Sequence, residues 1–216
     1  MAEPSHAAHP LIRATGRGRR LILLRHGRTD YNASGRFQGK LDPPLDDVGR
    51  TQAQVAAEAI AALKPAALLA STAQRAHQTA LALAERCGLE LDLDERLTEV
   101  DNGRWAGLTL EEVRERYRDE HDGWRRGDDI KIGGAESYRE VSVRASAAIA
   151  GPLDARDDGE LLVVITHGGV ARAVAAATLG LPHEHWRILS GLGNCTWSML
   201  SERPQRWVLE GHGLSG

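Results

Sequence analysis

The chain is short of the features that mark several broad classes of protein. It has two cysteines, Cys87 and Cys195, among 216 residues, too few for a disulfide framework. Each is expected to be a small buried apolar group in a reducing cytosol, which points to a cytoplasmic protein. No apolar run approaches the ~20 residues that a membrane span needs, and the first residues lack the apolar stretch of a secretory signal. Basic charge is not in surplus: the formal net charge is −3, which gives no reason to expect a nucleic-acid partner. What is present, 42% hydrophobic and 26% charged residues, describes a globular domain long enough to bury a proper core. Residues 1–18 show no periodicity and are read as a disordered tail, with the basic cluster Arg13, Arg17, Arg19 and Arg20 solvated. Residues 19–216 are read as one domain.

Four aliphatics, Leu21-Ile22-Leu23-Leu24, run straight into Arg25-His26-Gly27. That pattern reads as a buried strand ending where α/β sheets keep their active sites. A histidine at such a tip is placed to attack an anionic electrophile such as a phosphoryl group. The Arg25 guanidinium offers a planar fork of donors to phosphate oxygens, and Gly27 allows backbone to come close. The polar loop that follows makes Asn32, Arg36 and Gln38 candidates for substrate contact. A helix capped by Asp46 or Asp47 runs to about Leu63 as scaffold.

Residues 66–71 read as a second buried strand, followed by a helix with Arg75 in its first turn. A cation there opposes the helix dipole, so it makes more sense with an anion bound beside it. Glu99, between Leu97 and Val100, is expected in a partly apolar wall that keeps it protonated as a general acid. A short charged helix spans 110–117, a turn falls at Gly133-Gly134, and a long helix reaches about Ala155; the stretch 108–137 is expected to form a lid over the pocket. Leu161-Leu162-Val163-Val164-Ile165-Thr166-His167-Gly168-Gly169 then repeats the opening design. His26 and His167 are therefore expected to be neighbours, with the Gly168 and Gly169 amides offering an anion site. His183 and His185 lack a third ligand and read as surface groups, not a metal pair. Two strands, 194–200 and 206–210, close the chain.

Leu24-Arg25-His26-Gly27-Arg28-Thr29 with Asn32, then Ser71 with Arg75 and Thr79, Glu99 ahead of Gly103-Arg104-Trp105-Ala106-Gly107, and Thr166-His167-Gly168-Gly169 occur in that order. Together they resemble the histidine phosphatase superfamily, in its phosphoglycerate mutase-like branch. The resemblance implies an α/β fold with a mixed, mostly parallel central sheet flanked by helices on both faces. It implies a phosphomonoester hydrolase working through a phosphohistidine on His26, with Arg25, Arg75 and His167 as the remaining phosphate pocket and Glu99 as proton donor. Arg28, Asn32, Gln38 and Gly168 fall on substrate-binding positions, with no metal and no cofactor. The implied partner is a small phosphorylated substrate, and many relatives are dimers, so a homodimer stays open.

Mutases of this branch carry a longer segment after the Glu99 position, whereas here Asp101–Thr109 passes directly to a helix, as in the phosphatases. Residues 29–32, 37–39 and 191–197 resemble those of phosphatases acting on glycosylated phosphoglycerates, such as glucosyl-3-phosphoglycerate. A broad-specificity sugar-phosphate or α-ribazole phosphatase is the alternative, then a phosphoglycerate mutase. A glycerate carboxylate would call for a further cation, with Arg28, Arg36 and Lys131 as candidates.

Overall fold

The computed structural model describes residues 14–216. Six strands form one sheet: β1 (Arg20–Arg25), β2 (Ala67–Ser71), β3 (Leu91–Asp94), β4 (Leu161–Thr166), β5 (Trp197–Arg203) and β6 (Arg206–Leu214). The described α-helices are α1 (Asp30–Ala33), α2 (Asp47–Ala61), α3 (Gln74–Cys87), α4 (Leu110–Arg116), α5 (Arg118–Arg126), α6 (Tyr138–Asp154) and α7 (Gly168–Thr178). The strand order is β3-β2-β4-β1-β5-β6. β1 to β4 run parallel, and β5 lies antiparallel to both β1 and β6. The sheet is mixed and mostly parallel, as the family resemblance implied.

The two aliphatic runs take the centre because only a strand covered on both faces can bury every residue. Leu21 to Leu24 and the whole of β4 are buried. Leu21, Leu23, Leu162 and Val164 pack with Trp105, α6 and α7; Ile22, Leu24, Val163 and Ile165 pack against α2 and α3. Each buried aliphatic contributes about 1.5–3 kcal/mol relative to exposure. Stability therefore sits in the strand bodies, and the polar residues at their tips are left for chemistry.

The helix starts are written in the sequence. The Asp46 carboxylate accepts from Gly49 N at 2.7 Å and opens α2, and a reciprocal Ser137–Glu140 capping box opens α6. α7 begins at Gly168, so both glycines lie in its first turn. α5 was not expected: six of its nine residues are charged, and only His121 and Gly123 are buried, which leaves little apolar period to read. β5 starts at Trp197, later than expected, because Cys195 adopts φ +51° and turns the chain first. β6 reaches Leu214, past the expected end at residue 210.

Residues 1–13 of the expected tail lie outside the described residues. From residue 14 the chain is tied down, and the expectation of solvated arginines is corrected at Arg19. Its side chain is 2% exposed and pairs with Glu202 at 2.7 Å and Asp154 at 2.6 Å. Thr15 and Gly16 also donate their backbone N–H groups to Glu202. Burial works against the Glu202 charge, yet the Arg19 and Thr15 hydrogen bonds hold its carboxyl down at about 2. Among the described residues no helix is long and apolar enough to cross a membrane, and both cysteines are free.

Candidate active site

Strand register assembles the site. Arg25 stands opposite Thr166 in the β1–β4 pair, so the next residues, His26 and His167, emerge side by side at the strand tips. Their rings meet edge to face with centroids 5.1 Å apart. The His26 Nδ1 lies 2.7 Å from the Gly27 carbonyl oxygen. A carbonyl only accepts, so Nδ1 carries the proton and Nε2 keeps its lone pair. His26 is 2% exposed; burial first, then the Arg25 and Arg75 charges, push its pKa well below the usual histidine value. The ring is neutral at physiological pH, the state in which Nε2 is a nucleophile.

His167 is fully buried, and its pKa is likewise held well down by burial and by Arg75, His26 and Arg25. Its Nε2 shares a hydrogen bond of 2.9 Å with Ser71 Oγ at the end of β2. The other ring nitrogen, Nδ1, is buried without a partner, and so are Nε of Arg25 and Nε of Arg75. Buried donors are nearly always paired, so a cluster of unpaired ones is a ligand signal. The two arginine Nε–H groups are donors whatever the His167 tautomer, and with the unpartnered imidazole nitrogen they describe a cradle for an anion.

The arginines are held by backbone. Arg25 Nη1 donates to the Leu192 carbonyl at 2.6 Å. Arg75, 1% exposed, donates from Nη1 to Leu41 O at 2.8 Å and from Nη2 to Gly39 O at 3.1 Å. Carbonyls fix both guanidiniums; among the described residues Arg25 enters no ion pair, and Arg75 has only a long 3.7 Å contact with the exposed Asp42 carboxylate, which leaves positive charge for a ligand. Thr79, one turn after Arg75, donates to its carbonyl at 2.7 Å and accepts Gly27 N–H at 3.0 Å. That links the Arg75 helix to the backbone behind His26.

Arg25, His26, Asn32, Gln38, Arg75 and Glu99 line one cavity of about 160 Å³. Arg28 does not join them: its Nε pairs with Asp46 Oδ2 at 2.8 Å. Gly168 backs the Arg25 side chain, and a Cβ there would sit 3.6 Å from Arg25 Cδ. The anion expected on the paired glycine amides is the chain's own carboxylate, since Gly169 N donates to Glu99 Oε2 at 3.1 Å. Glu99 also accepts Val100 N–H at 2.9 Å through Oε1. Both carboxylate oxygens thus meet backbone amides, and the apolar wall expected from Leu97 and Val100 is corrected in part: Leu97 turns into the core, whereas Val100 lines the cavity beside Glu99.

The lid is corrected too. Residues 108–137 are absent from the cavity lining, which draws instead on Arg36, Phe37, Gly39, Val100, Asn102 and Tyr138. Phe37 sits against Trp105 and Trp124, with ring centroids 5.5 and 6.1 Å away, so 108–137 buttresses the 36–39 loop from behind. Arg36 lines the cavity, but its Nη1 pairs with Glu112 at 3.0 Å. Sequence reasoning missed Tyr138, Asn102 and Asn194. Asn194 donates from Nδ2 to the His26 carbonyl at 3.1 Å and to Asn32 Oδ1 at 3.0 Å. This turns the Asn32 amide nitrogen outward. His183 lies 3.6 Å from Asp129, and among the described residues no group of three His, Cys, Asp or Glu is placed to hold a metal.

The sequence pattern of the histidine phosphatase superfamily (branch 1) matches residues 21–214. A glucosyl-3-phosphoglycerate phosphatase of Mycobacterium tuberculosis is 39% identical over 194 residues, covering 86% of each chain. A probable phosphoglycerate mutase of an Enterobacter species is 35% identical, covering 88% of each. The solved structure of a mycobacterial glucosyl-3-phosphoglycerate phosphatase in complex with VO3 superposes with a TM-score of 0.85 at 36% identity, covering 91% of this chain and all of that one.

Proposed function

The chain belongs to the histidine phosphatase superfamily, and from that premise we propose that it hydrolyses a glycosylated phosphoglycerate, such as glucosyl-3-phosphoglycerate, through a phosphohistidine at His26 Nε2. The observation that carries the reading is the neutral His26, with its free nitrogen in a cluster with the unpaired Nε–H groups of Arg25 and Arg75 and the unpartnered Nδ1 of His167. A phosphate dianion repels an anionic nucleophile, and a neutral imidazole among cations avoids that cost. As the phosphoryl group moves, charge on its equatorial oxygens meets donors already in place. Asn32 and Gln38 add amide donors at the rim.

A sugar-acid alkoxide is a poor leaving group. Glu99, in the same cavity, delivers its proton to the ester oxygen, and the Gly169 and Val100 amides then hold the resulting carboxylate. Water attacks the phosphohistidine with Glu99 as base, and phosphate leaves. Hydrolysis is favoured over phosphoryl return to the alcohol by the direct run from Val100 through the short helical turn Gly103–Trp105 to α4. No added segment there encloses a second phosphorylated molecule. The substrate follows from the relatives named above, whose names share a phosphate ester on a carboxylic acid. Free thiols at Cys87 and Cys195 support a cytoplasmic location.

Phosphate release with chelator present, from glucosyl-3-phosphoglycerate, mannosyl-3-phosphoglycerate, 3-phosphoglycerate, α-ribazole phosphate and simple sugar phosphates, tests the substrate. A preference of about a hundredfold in kcat/KM for the first, some 2.7 kcal/mol of differential transition-state binding, is the expected result. A flat profile makes it a broad-specificity phosphatase, and isomerisation of 3-phosphoglycerate without release makes it a mutase.

A further inference from the structure

The three cations that the sequence offered for an acid beyond the phosphate are each neutralised by the chain's own carboxylates. Arg28 pairs with Asp46 at 2.8 Å, Arg36 with Glu112 at 3.0 Å and Lys131 with Glu140 at 3.1 Å. Arg172 differs. It stands one turn beyond Gly169 on α7 and, among the described residues, enters no ion pair or side-chain hydrogen bond. Its guanidinium carbon lies 4.8 Å from the centroid of the Tyr138 ring.

That ring connects Arg172 to the chemistry. Tyr138 lines the phosphate cavity. A Cβ built on Gly169 would stand 2.9 Å from Tyr138 Cε1 and 2.6 Å from Glu99 Oε1, so ring edge and proton donor flank the same point. Beyond the ring lies a narrow recess of about 20 Å³, bounded among others by Trp124, Asp128, Tyr138, Arg172 and Arg187. Arg187 donates to the Trp124 carbonyl at 2.7 Å, and its pKa is pushed down by burial and then by the Arg172 charge beside it. The acid bounding the recess, Asp128, is taken by Arg126 at 2.7 Å. Two guanidiniums thus share a wall with no free carboxylate between them. Like charges in a partly desolvated recess repel until an anion joins them.

We propose that Arg172, backed by Arg187, is the specificity-determining cation that binds the carboxylate of the leaving group, with Tyr138 as the wall along which that group extends from Glu99. The inference rests on the phosphatase reading, which puts the ester oxygen at Glu99. In a phosphoglycerate the carboxylate is two carbons beyond the one bearing that oxygen. At about 20 Å³ the recess has room for little more than one water-sized group, so a carboxylate meets Arg172 at the mouth of the recess and a sugar ring stays outside. A planar guanidinium presents paired donors to a carboxylate, and stacking on the Tyr138 ring fixes its plane.

The test uses the full chain with His26→Ala, which stops turnover so that intact esters can be titrated by calorimetry. The probes are 3-phosphoglycerate and glycerol 3-phosphate, which differ in the carboxylate. With Arg172 present, the acid is expected to bind at least tenfold more tightly, about 1.4 kcal/mol. Arg172→Gln should collapse the ratio to near one, and Arg172→Lys should restore part of it. An unchanged ratio in Arg172→Gln, or none with Arg172 present, overturns the inference. Turnover by the chain with His26 intact is a separate readout: absence of phosphate release sinks the phosphatase reading, while the binding ratio still decides the role of Arg172.

Discussion

Replacing Gly169 with alanine separates the fold's requirements from those of the chemistry. Gly169 is a helical residue in the first turn of α7, without a positive φ, so its backbone accepts alanine. Helix propensity alone favours the change by about 0.5–1 kcal/mol. The new Cβ would meet Glu99 Oε1 at 2.6 Å and Tyr138 Cε1 at 2.9 Å. Neither distance is tolerable for carbon, and the Glu99 side chain is the softer of the two neighbours. The carboxyl must swing away, loosening its 3.1 Å bond from Gly169 N and leaving the position from which it protonates the ester oxygen. A positioned general acid contributes about 10²–10⁴ in rate, or about 2.7–5.4 kcal/mol, whereas p-nitrophenolate departs without help. Gly169→Ala is therefore expected to lose about a hundredfold or more in kcat on glucosyl-3-phosphoglycerate and less than about fivefold on p-nitrophenyl phosphate, with its urea midpoint unchanged or higher. Steady-state kinetics on both substrates and one unfolding curve decide it. Equal losses on the two esters would refute the general-acid placement, and full activity on both would refute the geometry.

The remaining predictions concern the groups around that centre. His26 and His167 are neutral when folded, with pKa values below the 6.5 of free histidine. The unfolded chain thus binds more protons below about pH 6.5, and stability should fall as pH drops through 6.5 and hold flat above it. Urea midpoints from pH 8 to 5 check this, and a His26→Asn variant should show a shallower decline; a pH-independent midpoint would contradict the buried neutral pair. Ser71→Ala strips His167 Nε2 of its partner and should cost about 1–3 kcal/mol of stability along with at least tenfold in kcat/KM, read by unfolding and phosphate release. Glu202→Gln leaves Arg19 with Asp154 alone and should cost about 3 kcal/mol, with faster amide exchange at Thr15. An unchanged midpoint would mean that the buried pair contributes nothing.

Much of the site was legible because it hangs on two strands whose sequences are nearly all aliphatic. Leu21–Leu24 and Leu161–Ile165 could be nothing but central strands, and a histidine after each had to emerge at the same edge of the sheet. Arg75 was legible for the opposite reason, since a cation in a first helical turn is out of place without an anion. What failed to show depends on partners distant in sequence. Arg28 is spent on Asp46, and a carboxylate eighteen positions away gives no local sign of that. The segment 108–137 was expected above the cavity, but the Phe37, Trp105 and Trp124 rings hold it behind the loop. Tyr138 and Asn194 sit beside an ordinary N-cap and a glycine-rich turn, and their roles come from what the fold brings against them. Arg172 was invisible for the same reason: only the stacking on Tyr138 and the pairing of every other candidate single it out.

The central claim is a covalent phosphoryl group on His26 Nε2. Rapid acid-free quenching during turnover of glucosyl-3-phosphoglycerate, followed by peptide mass spectrometry, tests it directly. The expected result is an acid-labile, base-stable phosphate on the peptide containing His26, forming and decaying at rates that match turnover and absent from His26→Ala. Turnover with no phosphate on that peptide at any time, or phosphate carried on His167 instead, would contradict the account.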